Sequence, residues 1–391
     1  MLRVGQAEVD AVSAVIRSGK LFRYREPGAV GECQRFEQRY GCYLDVPHVT
    51  MAASGTAALT AGLAGLGIGP GDEVIVPAHT YMATAVAVLA VGAIPVIVDI
   101  DESIMLSPAA LDDAVGRRTR AVIPVHMWGH PCDMDAIMRI ARKRKLKVIE
   151  DACQGVGGGY EGRKLGSIGH VGAFSFNFFK NMTCGEGGAV VTRDDRVAQV
   201  ARCMVDCCGF FWTGKARDVQ TFAANGSRAS EIEGAMMNAQ LDRIAGLLRA
   251  LRKSKQRILR AVRGVPGLQP NPLHSPQYEC ATNIFLMLPT AAKAATFAAE
   301  VGGGVAGKTG RHTFNEWDPI LNHRSSHHPA LNPYLLPANR LCRRNYPANL
   351  CRRSLEILNR TVMIGNTLDR TDRDIEALIA KIKTAAGHVA A

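Results

Sequence analysis

An α/β fold with a mainly parallel sheet is what this sequence predicts, and three features predict it. β-branched runs alternate with segments of helical periodicity: Ala121 to Val125, Met134 to Arg144 and Leu146 to Glu150 read as strand, helix and strand. That order is the one parallel strands joined by crossover helices require. The apolar run from Val74 to Ile100 is divided by Pro77, Gly92 and Pro95 into strand, helix and strand. Lys147 to Gln154, KVIEDACQ, ends a β-branched run in two acids. A buried strand of this kind delivers carboxylates to the C-terminal sheet edge, where open α/β folds take their ligands.

Taken in order, Gln6 to Ser18 carries Val9, Val12, Val15 and Ile16 near helical spacing and predicts a helix stopped at Gly19. Gly28 to Gly31 reads as a loop and Glu32 to Gly41 as a second helix. Thr80 to Val98 is uncharged for nearly twenty residues, which raises a membrane-spanning reading. Its internal turn formers, with Asp99 and Asp101 at its end, favour buried α/β elements instead. After Val191 a polar turn, Arg193 to Asp195, leads into a helix expected to carry Cys203, Cys207 and Cys208 as small buried groups. Phe210, Phe211 and Trp212 follow, either as a substrate wall or as a local core or subunit contact. Ala229 to Arg263, rich in Ala, Leu, Met and Arg and free of proline, predicts a long helix or helix pair. Gly264 to Pro276 then opens a second domain whose clearest strand is Ala281 to Leu288.

With 391 residues the chain can bury a sizeable core and is expected to form about two domains. Hydrophobic residues make up 47% and charged residues 21%, which excludes a disordered chain. The net charge of +12 favours anionic ligands such as phosphorylated or nucleotide-linked sugars. Its scattered arginines lack any zinc-finger or single-strand-binding signature, so no nucleic-acid partner is expected. Eleven cysteines, without a basic and apolar leader, point to a reduced cytoplasmic compartment.

Three stretches carry candidate chemistry. Phe174 to Val191, FSFNFFKNMTCGEGGAVV, sets Lys180 between an apolar strand and a glycine-rich turn. Such a lysine is either a solvated strand-end residue or an amine whose dehydration makes it nucleophilic enough to form a Schiff base. Asp151 could hold a pyridinium nitrogen protonated, or cap a helix. Ser54-Gly55-Thr56 precedes an Ala/Leu-rich helix whose first N–H groups are free for a phosphate. Together, a phosphate cradle, a strand-end acid and a lysine in that order suggest pyridoxal 5′-phosphate.

The blocks SGTAAL, GDEVIVPAHTYMATA, GAIPVIVDID, AVIPVHMWGHPCDMDAI, VIEDACQG, GSIGHVGAFSF and KNMTCGEGGAVV run almost without a gap from Ser54 to Thr192. In that order they resemble the DegT/DnrJ/EryC1/StrS sugar aminotransferases, a branch of the fold-type I enzymes that use pyridoxal 5′-phosphate. The resemblance implies a large cofactor-binding domain over residues 1–245 and a smaller C-terminal α+β domain over 246–391. It implies that Lys180 carries the cofactor in Schiff-base linkage, that Asp151 contacts the pyridine nitrogen and that Gln154 lies near the phenolic oxygen. It further implies that Gly55, Thr56 and Ser175 hold the phosphate and that Tyr81 stacks on the ring. Asn225 would reach the phosphate of a partner subunit, which makes a homodimer the expected assembly. The family has one residue between that asparagine and an arginine, whereas here Gly226 and Ser227 precede Arg228.

By the same resemblance, an amino group passes from L-glutamate or L-glutamine to a keto group on a sugar or cyclitol, in amino-sugar or antibiotic biosynthesis. The C-terminal half departs from the family pattern. There Gly307 to Tyr334 offers Arg311, His312 and Trp317 as substrate contacts. His323, His327 and His328 invite a metal, but Ser325-Ser326 and Pro329 break the helical spacing a metal pair needs, so no metal is expected. Two rivals stand beside this reading. A sugar dehydratase of the same family has histidine where this chain has Lys180, and a non-catalytic binding protein would not need Lys180, Asp151, Gln154 and Thr56 together.

Overall fold

The structure is a computed structural model that describes residues 4–25, 29–214 and 218–390. Gly28 of the predicted loop lies outside those residues. The first half contains strands β1 (His48–Ala52), β2 (Glu73–Pro77), β3 (Ile94–Val98), β4 (Thr119–Val122) and β5 (Lys147–Asp151). A small hairpin, β6 (Gly159–Tyr160) and β7 (Arg163–Lys164), precedes β8 (Val171–Ser175) and β9 (Gly188–Thr192). Between them run helices α1 (Gln6–Ser18), α2 (Glu32–Leu44), α3 (Gly55–Gly65), α4 (Ala83–Ala90), α5 (Pro108–Ala114) and α6 (Met134–Arg144).

The seven-stranded sheet has the order β1-β9-β8-β5-β4-β2-β3. Only β9 runs against its neighbours; β8, β5, β4, β2 and β3 are mutually parallel. All residues of β2, β3, β8 and β9 are buried, which is why these segments read as unbroken apolar runs and not as alternating ones. The uncharged run from Thr80 to Val98 is thus α4 and β3, and no described helix is long and apolar enough to cross a membrane.

Beyond the sheet come α7 (Asp195–Val205), α8 (Phe210–Thr213), α9 (Glu231–Leu241) and α10 (Ile244–Ala261). The cysteine cluster does not share a helix. Asp206 ends α7, its carboxylate taking bonds from the Cys208 amide at 3.1 Å, Tyr24 Oη at 2.8 Å and Arg228 Nη1 at 3.1 Å. Those bonds pull the chain out of the helix, leaving Cys207 half-buried and Cys208 exposed. The Ala229 to Arg263 segment is a helix pair broken at Asp242-Arg243, and α10 runs through Gly246.

A second, four-stranded antiparallel sheet, β10 (Gln269–Pro270), β11 (Asn283–Met287), β12 (Gly304–Val305) and β13 (Thr361–Gly365), has the order β10-β11-β13-β12. It packs with α11 (Ala291–Val301) and later α14 (Asp372–Ala390) around Ile284, Phe297, Ile364 and Ile382. Between β12 and β13 the chain, including α12 (Asp318–Leu321) and α13 (Arg352–Arg360), returns to the first sheet. Phe314, Trp317, Tyr334 and Leu358 are buried in the core of that sheet. Thr313 pairs with His79, and the Arg343 guanidinium lies 2.5 Å from the buried Glu73 carboxylate. This return places Arg311 and His312 over the C-terminal ends of the parallel strands.

Candidate active site

The start of α3 meets the end of β5 in a cavity of about 270 Å³. Ser54 caps the helix by accepting a bond from the Ala57 amide at 3.1 Å, and the helix then opens with the amides of Gly55 and Thr56. Gly55 is demanded by packing: a Cβ there would lie 2.7 Å from Cys153 Sγ and 2.8 Å from Ser175 Cβ. Only a glycine lets the helix start sit this tightly on the end of β8.

Asp151 closes the opposite wall at the end of β5. Its Oδ1 accepts from the Cys153 amide at 3.1 Å and its Oδ2 from Thr84 Oγ1 at 2.8 Å. Thr84 in turn lies 2.7 Å from Thr80 Oγ1. The cavity therefore brings together Gly55, Thr56, Tyr81, Asp151, Gln154, Ser175 and Lys180. Thr84 escaped the sequence reading, although a hydroxyl inside the otherwise apolar ATAVAVLA helix marks a buried group in need of a partner.

Lys180 does not sit in the apolar envelope that its neighbours suggest. Its amide bonds the Asn177 carbonyl at 3.0 Å, and the Phe179 amide bonds Asn177 Oδ1 at 3.1 Å. This tight turn sends Phe178 and Phe179 to the surface, while Lys180 remains half-buried. Its side chain stands where the first cavity meets a second of about 410 Å³.

Trp128, Asn181, Asn283, Arg311 and His312 line that second cavity. Trp128 adopts a left-handed conformation at φ 51°. Its amide bonds Gln154 Oε1 at 3.2 Å and its carbonyl accepts from Thr282 Oγ1 at 3.0 Å, so both halves of the molecule fix it. Its indole stacks on Phe285 at 5.2 Å and meets His79 and His312 edge-on. Burial, opposed by a bond from Nδ1 to the Ile104 carbonyl, pushes His79 down to about 4. Burial, then the charges of His79, Arg311 and Lys180, pushes His312 down to about 3. Both imidazoles are thus neutral at pH 7, which leaves Lys180 and Arg311 as the basic side chains among the described residues that line this cavity. Trp128 also escaped the sequence reading; its position just past β4, before Gly129 in HMWGHP, was the available signal.

Trp317, expected to touch substrate, does not line either cavity. It is 1% exposed, buried in the core where the return segment packs on the first sheet. Asn225 is exposed and lies outside both cavities of its own chain. His323 Nε2 bonds the Arg344 carbonyl at 2.6 Å and stacks on Tyr334, whereas His327 and His328 are exposed. Among the described residues no three His, Cys, Asp or Glu side chains gather as a metal site.

Residues 3–301 match the DegT/DnrJ/EryC1/StrS aminotransferase family. The chain belongs to this family. The aminotransferase is 39% identical over 270 residues to dTDP-3-amino-3,4,6-trideoxy-alpha-D-glucose transaminase of Streptomyces venezuelae, 67% of each chain. It is 36% identical over 275 residues to L-glutamine:2-deoxy-scyllo-inosose aminotransferase of Streptoalloteichus tenebrarius, 67% of this chain and 64% of that one. Its fold matches the crystal structure of S. venezuelae DesV in complex with a ketimine intermediate at a TM-score of 0.75 and 28% identity, over 97% of this chain and 94% of that one.

The cofactor of the family is pyridoxal 5′-phosphate, and the first cavity fits it. A helix start offers free amides to a phosphate. A carboxylate held by two donors faces it across the cavity, and a primary amine stands at the open side.

Proposed function

We propose that this enzyme moves an amino group from L-glutamate or L-glutamine to a keto group of a sugar, nucleotide-linked or phosphorylated, or of a cyclitol. The observation that carries the reading is Lys180 at the junction of two cavities, one matched to the cofactor and one walled for a polar ring. When bound, pyridoxal phosphate supplies an aldehyde for amines and a ring that withdraws electrons from carbon. The amides of Gly55 and Thr56 and the hydroxyl of Ser175 would hold the phosphate, and Tyr81 would restrain the ring. Asp151 would keep a proton on the pyridine nitrogen, and Thr84 fixes that carboxylate. Lys180 Nζ takes the proton from the α-carbon of the donor and later returns one to the carbon that receives nitrogen.

Further parts of the proposal rest on sequence. The unit over 1–245 binds the cofactor and that over 246–391 completes the acceptor side. A cytoplasmic homodimer, in which Asn225 of one copy reaches the phosphate of the other, completes the site. Amino-sugar or antibiotic biosynthesis is the setting that the names of the relatives support. The test is absorbance of the purified protein with pyridoxal phosphate, in wild type and Lys180→Ala. A visible band that donor discharges in the wild type and that never forms in the variant is expected. A band in the variant, or one untouched by either donor, would refute it.

A further inference from the structure

We infer that His130, which lines neither cavity, is a positioning residue for amino-group transfer: held by Lys255 and Glu279, it braces Phe285, and Phe285 braces the Trp128 indole that walls the acceptor cavity. This role deepens the aminotransferase reading and rests on it. The main chain of Trp128 is fixed by its bonds to Gln154 and Thr282, and the next carbonyl, of Gly129, accepts from the Cys280 amide at 3.0 Å. Those bonds do not set the angle of the indole. Ring contacts do: Phe285 lies against it, 22° from parallel, while His79 and His312 make T-shaped contacts with it. Phe285 in turn meets the His130 ring at 4.7 Å and 87°.

His130 comes from the turn after β4, Glu279 from the segment before β11 and Lys255 from α10, and all three are buried. Lys255 Nζ donates to Glu279 Oε2 at 2.6 Å and to His130 Nε2 at 2.9 Å. An ammonium has no lone pair, so Nε2 accepts and the ring is neutral, with its proton on Nδ1. Burial and then the charge of Lys255 keep it neutral. Apolar side chains of the same volume often fill such a space with no loss of stability. They would not fix the plane of an imidazole, which a directed bond to Nε2 does. An aromatic contact of this kind is worth up to about a tenfold change in an equilibrium, enough to decide whether the indole stays in the wall.

The test compares cofactor-loaded wild type with His130→Gln, which keeps an acceptor for Lys255 but no ring, and His130→Phe, which keeps a ring but no acceptor. Absorbance times two half-reactions: loss of the cofactor band with L-glutamine or L-glutamate, and its return when donor-treated enzyme meets 2-deoxy-scyllo-inosose. In His130→Gln the return should slow about fivefold to tenfold while the loss stays within about twofold of wild type. Its Trp128 emission, read as the difference from the same protein carrying Trp128→Phe, should move to longer wavelength. His130→Phe should match wild type in all three. Phe285→Leu, which removes the brace itself, should repeat the His130→Gln pattern and stands in if that protein does not fold. Equal slowing of both half-reactions, an unchanged Trp128 emission, or a His130→Phe protein as impaired as His130→Gln overturns the inference. A wild-type band that neither donor discharges refutes the aminotransferase reading instead. If the band is lost but this ketone does not restore it, the emission of the variants alone decides the role of His130.

Discussion

Gly55→Ala probes how the phosphate site is built. A methyl group there would lie 2.7 Å from Cys153 Sγ and 2.8 Å from Ser175 Cβ, about 1 Å inside ordinary carbon contact. Ser175 ends β8, and Cys153, two residues past β5, is tied by its amide to Asp151, so α3 is the element that must move. Overpacking of this size costs about 1–3 kcal/mol. If the helix start absorbs it by shifting away from the phosphate, cofactor affinity falls by roughly tenfold to a hundredfold, at about 1.4 kcal/mol per tenfold. Titration of cofactor-free protein with pyridoxal phosphate, followed by absorbance, measures this, and urea unfolding of the same protein measures the loss of stability. Gly246→Ala, whose methyl would meet nothing nearer than 3.9 Å, is the control. A Gly55→Ala protein with wild-type affinity and wild-type unfolding midpoint would refute the claim that Gly55 sets the helix on the sheet.

Lys255 Nζ lies 2.6 Å from Glu279 Oε2 and 2.9 Å from His130 Nε2, all three side chains buried. Lys255→Met is expected to cost about 3–5 kcal/mol at pH 8 by stranding Glu279. The loss should shrink at pH 6, because burial and then Lys255 hold His130 below its ordinary pKa and, without the lysine, His130 can take up the balancing proton; equal losses in urea at both pH values would contradict this. His79 is held at about 4 in the native state against 6.5 unfolded, so between those values the unfolded chain binds the extra proton and stability falls as pH falls. Melting temperatures from pH 7 to 4.5 should drop, and His79→Asn should flatten part of the slope; an unchanged slope would remove His79 as the cause. Trp317→Phe should leave the acceptor KM unchanged, since the indole lies in the core; a severalfold rise in KM would return it to the site.

Much of the fold was legible because its signals are local. Gln6–Ser18 and Met134–Arg144 appear at the positions read from helical periodicity, and turn formers divided the Thr80 to Val98 run where β3 begins. That Asp151, Gln154, Ser175, Lys180 and Gly55 line one cavity was legible for the same reason: the first four lie at or past strand ends, and Gly55 at a helix start. What failed depended on distant partners. Cys207 and Cys208 leave their helix because Tyr24 and Arg228 engage Asp206, and neither partner is near in sequence. Trp317 joins the core because the return segment packs on the first sheet, a long-range event that makes an exposed-looking loop tryptophan a buried one. Phe178 and Phe179 face outward because the four-residue turn from Asn177 to Lys180, not hydrophobicity, sets their direction. Thr84 and Trp128 act through a carboxylate and a glutamine that only the folded sheet edge brings to them.

The most direct test of the central claim is a two-step spectrum of the cofactor-loaded enzyme. L-glutamine or L-glutamate should abolish the visible band of the lysine-linked cofactor, and a keto-inositol, added after the donor is removed, should restore it and emerge as an amine by mass spectrometry. A band that donor cannot discharge, or that no ring ketone can restore, would contradict the assignment of Lys180 and its two cavities to amino-group transfer.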